Sequence, residues 1–287
     1  MCALLSIAHI INPFQPIADA DLAIAQPITF TSLKTAKEAS KPTITVELLS
    51  AQFQEDRPFV PEGFTLTNDL DRNSTELIGL NNTRKLPFIA DILQRAFDES
   101  EAEYIVYTNV DIAVQPQFYN RLVEIIDDGH DGFIINRRRL PAGFTSPEEL
   151  PEMYAKKGKS HPGFDCFIIK REWIPKFSLD QILVGVPFIG IAMAQNVFHF
   201  AANPHVFESE ILTFHIGEEI FLKRAPKAYF KHNRRAFWRA MKPLLPSLDS
   251  RKWPYGNKAL VERMIRWGLN PSLPIRLALL LEPRRWK

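Results

Sequence analysis

Apolar runs of strand length alternate with helical stripes through about residue 220. Residues 4–11 form a near-continuous apolar run that stops at Asn12-Pro13, as a buried strand does. A helix is expected over 30–38, capped by Thr29 or Thr31. Residues 43–49 alternate like a second strand, and 54–82 are polar, a loop long enough to be functional. Leu86, Ile89, Ala90, Leu93 and Phe97 follow helical spacing, with Pro87 in the first turn. A strand over 104–108 breaks off at the polar cluster Asn109-Val110-Asp111. Pro116 opens the next helix, with Phe118, Leu122, Ile125 and Ile126 on one face. Further strands are expected at 132–136, 165–170 and 211–215, with Arg137-Arg138-Arg139 just past the first of them. A second long loop covers 140–162. The alternation predicts an α/β fold, a three-layer and mostly parallel sheet.

Beyond residue 220 the pattern weakens, and there the charge changes the picture. Residues 221–287 hold 17 Lys/Arg against Asp249, Glu262 and Glu282, so a net of +2 for the chain hides a basic end of +14 on an acidic body of −12. The division predicts a domain over 1–220 and a basic, Trp-rich helical C-terminal extension over 221–287, with an amphipathic helix near 258–269. Basic residues interleaved with Phe237, Trp238, Trp253, Tyr255, Trp267 and Trp286 suit an anionic membrane surface. Wrapping of the extension around the acidic body is the competing expectation. No recognised nucleic-acid module is present, so nucleic acid is not expected as a partner.

Residues 182–202 are uncharged and nearly long enough to span a bilayer, but Gly185, Pro187, Gly190, Gln195, Asn196 and His199 interrupt them. A buried loop leading into a core helix over 189–200 is expected instead. Two cysteines are too few for a disulfide framework, which points to a reducing cytosol. The first residues read as a strand rather than a signal peptide. The expected location is therefore cytoplasmic, with peripheral attachment at the inner membrane face where the basic end meets lipid.

Three strand ends carry the chemistry. Asn109 and Asp111 follow the strand over 104–108, where open α/β sheets place their ligands. Asp165 opens a later strand in His161-Pro-Gly-Phe-Asp165-Cys, and His215 closes one in Thr213-Phe-His215-Ile-Gly. Two carboxylates and an imidazole brought together by a sheet could hold a divalent metal and supply a base. Each also has a plainer reading. Asp111 could cap a strand end, Asp165 could cap the Pro162-Gly163 turn, and His215 could be a hydrogen-bonded core histidine.

These segments resemble a family, the GT-A-type glycosyltransferases of the nucleotide-diphospho-sugar transferase fold, which is Rossmann-related. Tyr107-Thr-Asn-Val-Asp111 resembles the family's Asp-x-Asp metal segment, with Asn109 where the first Asp often stands. The segment at Asp165 resembles the acceptor-facing acidic segment, and Phe214-His215-Ile-Gly resembles the late metal-binding His. The resemblance spans roughly residues 4–220. It implies a nucleotide-sugar donor, a glycan, lipid or small-molecule acceptor, and Mn²⁺ or Mg²⁺ as cofactor. It further implies that Asp111 and His215 bind the metal and that Asp165 is the general base. Asn12, Asn109, Arg84, Lys85 and one arginine of the 137–139 run, Arg137, are the expected donor-binding residues. Two other functions remain open: a nucleotide-sugar-binding protein without turnover, suggested by Asn109, and a metal-dependent phosphoesterase. The second is disfavoured because the seven His are scattered.

Overall fold

A computed structural model describes residues 4–16, 21–77, 85–161, 163–216, 226–247, 253, 256–269, 273 and 277. Its main sheet has seven strands: β1 (Leu5–Ile11), β2 (Ile44–Ser50), β3 (Thr65–Leu66), β4 (Tyr104–Thr108), β6 (Gly132–Ile135), β9 (Cys166–Lys170) and β10 (Pro204–Phe207). Their order is β10-β6-β9-β4-β1-β2-β3. All neighbours are parallel except at β9, which runs against both β4 and β6.

Side chains along the central strands divide by parity, as a pleated strand requires. Ile105, Tyr107, Ile134, Phe167 and Ile169 face one core. Tyr104, Val106, Phe133, Ile135, Cys166 and Ile168 face the other. Helices α2 (Ile89–Glu99) and α5 (Ile189–Phe200) cover the first face, and α1 (Asp21–Glu38) and α3 (Phe118–Asp127) cover the second. With both faces covered, the strands read as continuous apolar runs rather than as alternating ones.

A second sheet sits over the carboxyl edge of the first. Its strands β5 (Ile112–Val114), β7 (Arg138–Arg139), β8 (Lys159–Ser160) and β11 (Thr213–His215) lie in the order β5-β11-β7-β8. Ala113, Leu140, Met153 and Phe214, with Ile28 of α1, form its own small core. A short helix α4 (Leu150–Tyr154) lies within the second long loop. Among the C-terminal residues, α6 (Lys227–Met241) buries Ala236, Phe237, Ala240 and Met241 in the core that contains α5. Helix α7 (Leu260–Met264) continues into a wider turn of helix, and Trp267 in that turn stacks on Phe164.

Several expectations are corrected. Helix α1 begins at Asp21, not near residue 30, and runs through Pro27, so Thr29 and Thr31 are interior residues and not caps. Helix α2 begins at Ile89, which leaves Pro87 ahead of it. Strand 211–215 belongs to the small sheet, not to the main one. The uncharged run over 182–202 is a loop leading into α5, and no helix among the described residues is long and apolar enough to cross a membrane.

Candidate active site

The chain leaves β1 toward β2 on one side and reaches β4 on the other, so the crevice beyond the carboxyl ends of β1 and β4 is the switch point where such sheets bind ligands. Asn12 and Asn109 flank it. Because β9 is antiparallel, its amino end lies at the same edge. Cys166 pairs with both Thr108 and Ile135, which sets Asp165 between the ends of β4 and β6.

The small sheet supplies the other groups. Ile112 of β5 pairs with His215 of β11, so Asp111, one residue earlier, meets the imidazole. His215 Nε2 lies 3.1 Å from Asp111 Oδ2, and both side chains are buried. Strand β7 pairs with β11 through Phe214–Arg138 and His215–Arg139. Arg137, in the link between β6 and β7, turns inward and donates from Nη1 to Asp165 Oδ1 at 2.5 Å. His161 Nδ1 stands 3.4 Å from the other carboxylate oxygen of Asp165 and accepts a hydrogen bond from the Gly163 N–H at 2.9 Å.

Electrostatics couple these pairs. Burial opposes ionisation of Asp111, but the His215 hydrogen bond and the charges of His215 and Arg137 outweigh it, holding the carboxyl below its ordinary value. The nearby Asp165 charge pulls the other way. Tyr107, which donates its hydroxyl to Asn109 Oδ1 at 2.9 Å, is pushed up by burial and by Asp111 and Asp165, and so stays neutral.

Of the sequence-predicted residues, Asp111, Arg137, Asp165 and His215 come together. Arg138 and Arg139 do not join them; their guanidinium groups bond the carbonyls of Lys157, Gly158 and Ser160 and so tie β8 to β7. Asn12 donates to the Ala51 carbonyl at 2.6 Å, tying the ends of β1 and β2. Lys85 lies apart from the cluster, 2.5 Å from Glu55 and over the Phe53 ring. Arg84 lies outside the described residues. Sequence reasoning passed over Asp56, a buried carboxylate that accepts the Gln15 N–H at 2.8 Å beside the end of β1; burial raises its carboxyl. Its one signal was a place in a long polar loop.

Asp111 Oδ2 and His215 Nε2, 3.1 Å apart, offer one hard oxygen and one imidazole nitrogen, a donor set that suits Mn²⁺ or Mg²⁺ when diphosphate oxygens and waters complete the shell. Asn109 adds no charge, and its amide oxygen accepts the Tyr107 hydroxyl. No group of three or more His, Cys, Asp or Glu that could hold a metal is found among the described residues.

The sheet order, the lone antiparallel strand beside β4 and the polar cluster at its carboxyl edge define a GT-A-type fold of the nucleotide-diphospho-sugar transferases. The chain is similar to the S. aureus protein TarS, residues 1–349, in complex with UDP-GlcNAc. The TM-score is 0.54 at 12% identity, covering 97% of this chain and 76% of that one. A second S. aureus TarS structure matches with a TM-score of 0.52 at 10% identity, and 46% of its chain is covered. No family model and no curated protein matches the sequence.

Proposed function

We propose that the protein transfers a glycosyl group from a nucleotide-diphospho-sugar to an acceptor hydroxyl. The observation that carries this reading is the convergence of Asp111–His215 and Arg137–Asp165 at the carboxyl edge of a GT-A-type sheet. The likeness to a protein crystallised with UDP-GlcNAc supports a nucleotide-sugar donor.

In this reading Asp111 and His215 hold Mn²⁺ or Mg²⁺. Bound there, the ion would neutralise the diphosphate that leaves. Asp165 is the general base: it takes the acceptor's proton as that oxygen bonds to the anomeric carbon and the carbon–diphosphate bond breaks. Attack opposite the leaving group inverts the configuration. Arg137 positions Asp165 by its buried hydrogen bond. Asn12 and Asn109, at the ends of β1 and β4, line the nucleotide side, where Asp56 is a further polar wall.

The test is donor turnover by the purified full chain over a panel of UDP- and GDP-sugars, with Mn²⁺, with Mg²⁺ and with chelator. Asp111→Asn and Asp165→Asn should each lower kcat by about 10²- to 10⁴-fold, measured on the folded fraction, since Asp165→Asn also strips buried Arg137 of its counter-charge and lowers the melting temperature. Full activity in both variants sinks the assignment.

A specific observation favours a second reading, a nucleotide-sugar-binding protein without turnover. With asparagine at 109, the metal segment contributes a single carboxylate, and the Asn109 oxygen accepts the Tyr107 hydroxyl. Turnover by wild type, abolished by chelation, eliminates that reading.

A further inference from the structure

Helix α6 presents two unlike faces. Tyr229, Asn233, Ala236, Phe237, Ala240 and Met241 are buried against the body. Lys231, Arg234, Arg235, Trp238, Arg239 and Lys242 are exposed, spaced by three and four residues along one side. Five of these line a shallow groove of about 550 Å³. No Asp or Glu occurs anywhere from 227 to 247. Arg239 pairs with Asp180 at 2.6 Å, whereas Lys231, Arg234 and Arg235 have no carboxylate partner among the described residues.

From this we infer that the outward face of α6 docks on an anionic phospholipid bilayer. Three features select that occupant. Cations without a carboxylate partner among the described residues call for a partner of opposite charge. With Lys242, which likewise has no carboxylate partner among the described residues, they spread over about 16 Å of helix, far more than one phosphate would engage, so the complement is a surface. Trp238, 42% exposed at the centre of the cations, keeps an indole in water, and the headgroup region of a bilayer accepts a ring and its flanking cations together. The C-terminal residues also leave Leu245, Leu260, Val261 and Met264 exposed, apolar side chains that a bilayer would cover. Docking through α6 would fix the orientation of the sheet edge relative to the membrane.

The experiment is co-sedimentation of the full chain with vesicles of phosphatidylcholine alone and with added phosphatidylglycerol, at low and high salt, without donor. Wild type should pellet with the anionic vesicles at low salt and be released at high salt. The double variant Arg234→Glu/Arg235→Glu should bind more than about tenfold more weakly, with an unchanged far-ultraviolet circular dichroism spectrum. Should that variant misfold, Lys231→Glu/Lys242→Glu reads the same face. Trp238→Ala should weaken binding at constant charge. Absence of vesicle binding, or binding indifferent to these substitutions, overturns the inference. Binding to soluble polyphosphate without binding to vesicles overturns it in favour of a soluble polyanion. Because no donor is present, failure here leaves the transferase reading untouched, and failure of donor turnover leaves this one untouched.

Discussion

His9 lies in the middle of β1, wholly buried, with Nδ1 2.9 Å from the Tyr119 hydroxyl and Nε2 2.9 Å from the Thr108 hydroxyl. Burial lowers its pKa from 6.5 to about 3. The unfolded chain therefore binds a proton that the folded chain refuses throughout that window. Stability is complete above pH 6.5 and falls as the pH drops toward about 3, by up to about 1.4 kcal/mol per pH unit. Urea unfolding of wild type and His9→Gln across that range should show the slope reduced by this amount in the variant; equal slopes would mean that the histidine protonates in place. His9 could not be singled out from the sequence, because a lone histidine in an apolar run carries no mark of its partners. Asp111 was legible for the opposite reason. A carboxylate just past a buried strand has few structural uses, and the edge it falls on is where ligands bind. Among three consecutive arginines the sequence could support a bet on one. The two-residue strand β7 makes the choice, engaging Arg138 and Arg139 in bonds to the 157–160 backbone and leaving Arg137 to turn toward Asp165.

Elements marked by a clear apolar run or period were legible, and most of the shortest ones were not. Strand β4 and helices α3 and α5 fall where the pattern predicts them. Strands β3, β5, β7, β8 and β10 were missed, since no apolar run of strand length marks them and they pair only because distant segments bring them together. Helix α1 is longer than the stretch expected over 30–38, because burial of Ala25, Ile28 and Leu33 carries it through Pro27 from Asp21. Helix α6 was hidden by its charge, and one buried polar side chain seats it. Asn233 accepts the Leu183 N–H at 2.9 Å and donates to the carbonyls of Leu183 and Pro187 at 3.0 and 3.1 Å. Asn233→Ala strands those buried backbone groups and should cost about 3 kcal/mol. A shift in denaturant midpoint worth less than about 0.5 kcal/mol would show that α6 is seated by its apolar contacts alone.

For the molecule as a whole, a ligand that binds the folded state stabilises it by mass action, by about 2.7 kcal/mol at a hundredfold excess over Kd. A cognate nucleotide sugar should therefore raise the melting temperature of wild type in the presence of Mn²⁺. The gain should shrink in Asp111→Asn and His215→Asn. A gain of equal size with chelator present would detach donor binding from the Asp111–His215 pair and favour the reading without turnover. By itself the sequence determined the layered α/β architecture, because strand and helix periods are local and both faces of the central strands had to be apolar. It also determined which residues deserved suspicion, since polar groups at buried strand ends are visible in one dimension. Tertiary structure alone decided which of them meet. Asp111 and His215 are 104 residues apart and are joined only by the antiparallel pairing of β5 with β11. Asp165 reaches Arg137 because β9 runs against its neighbours, a direction that an apolar run does not encode.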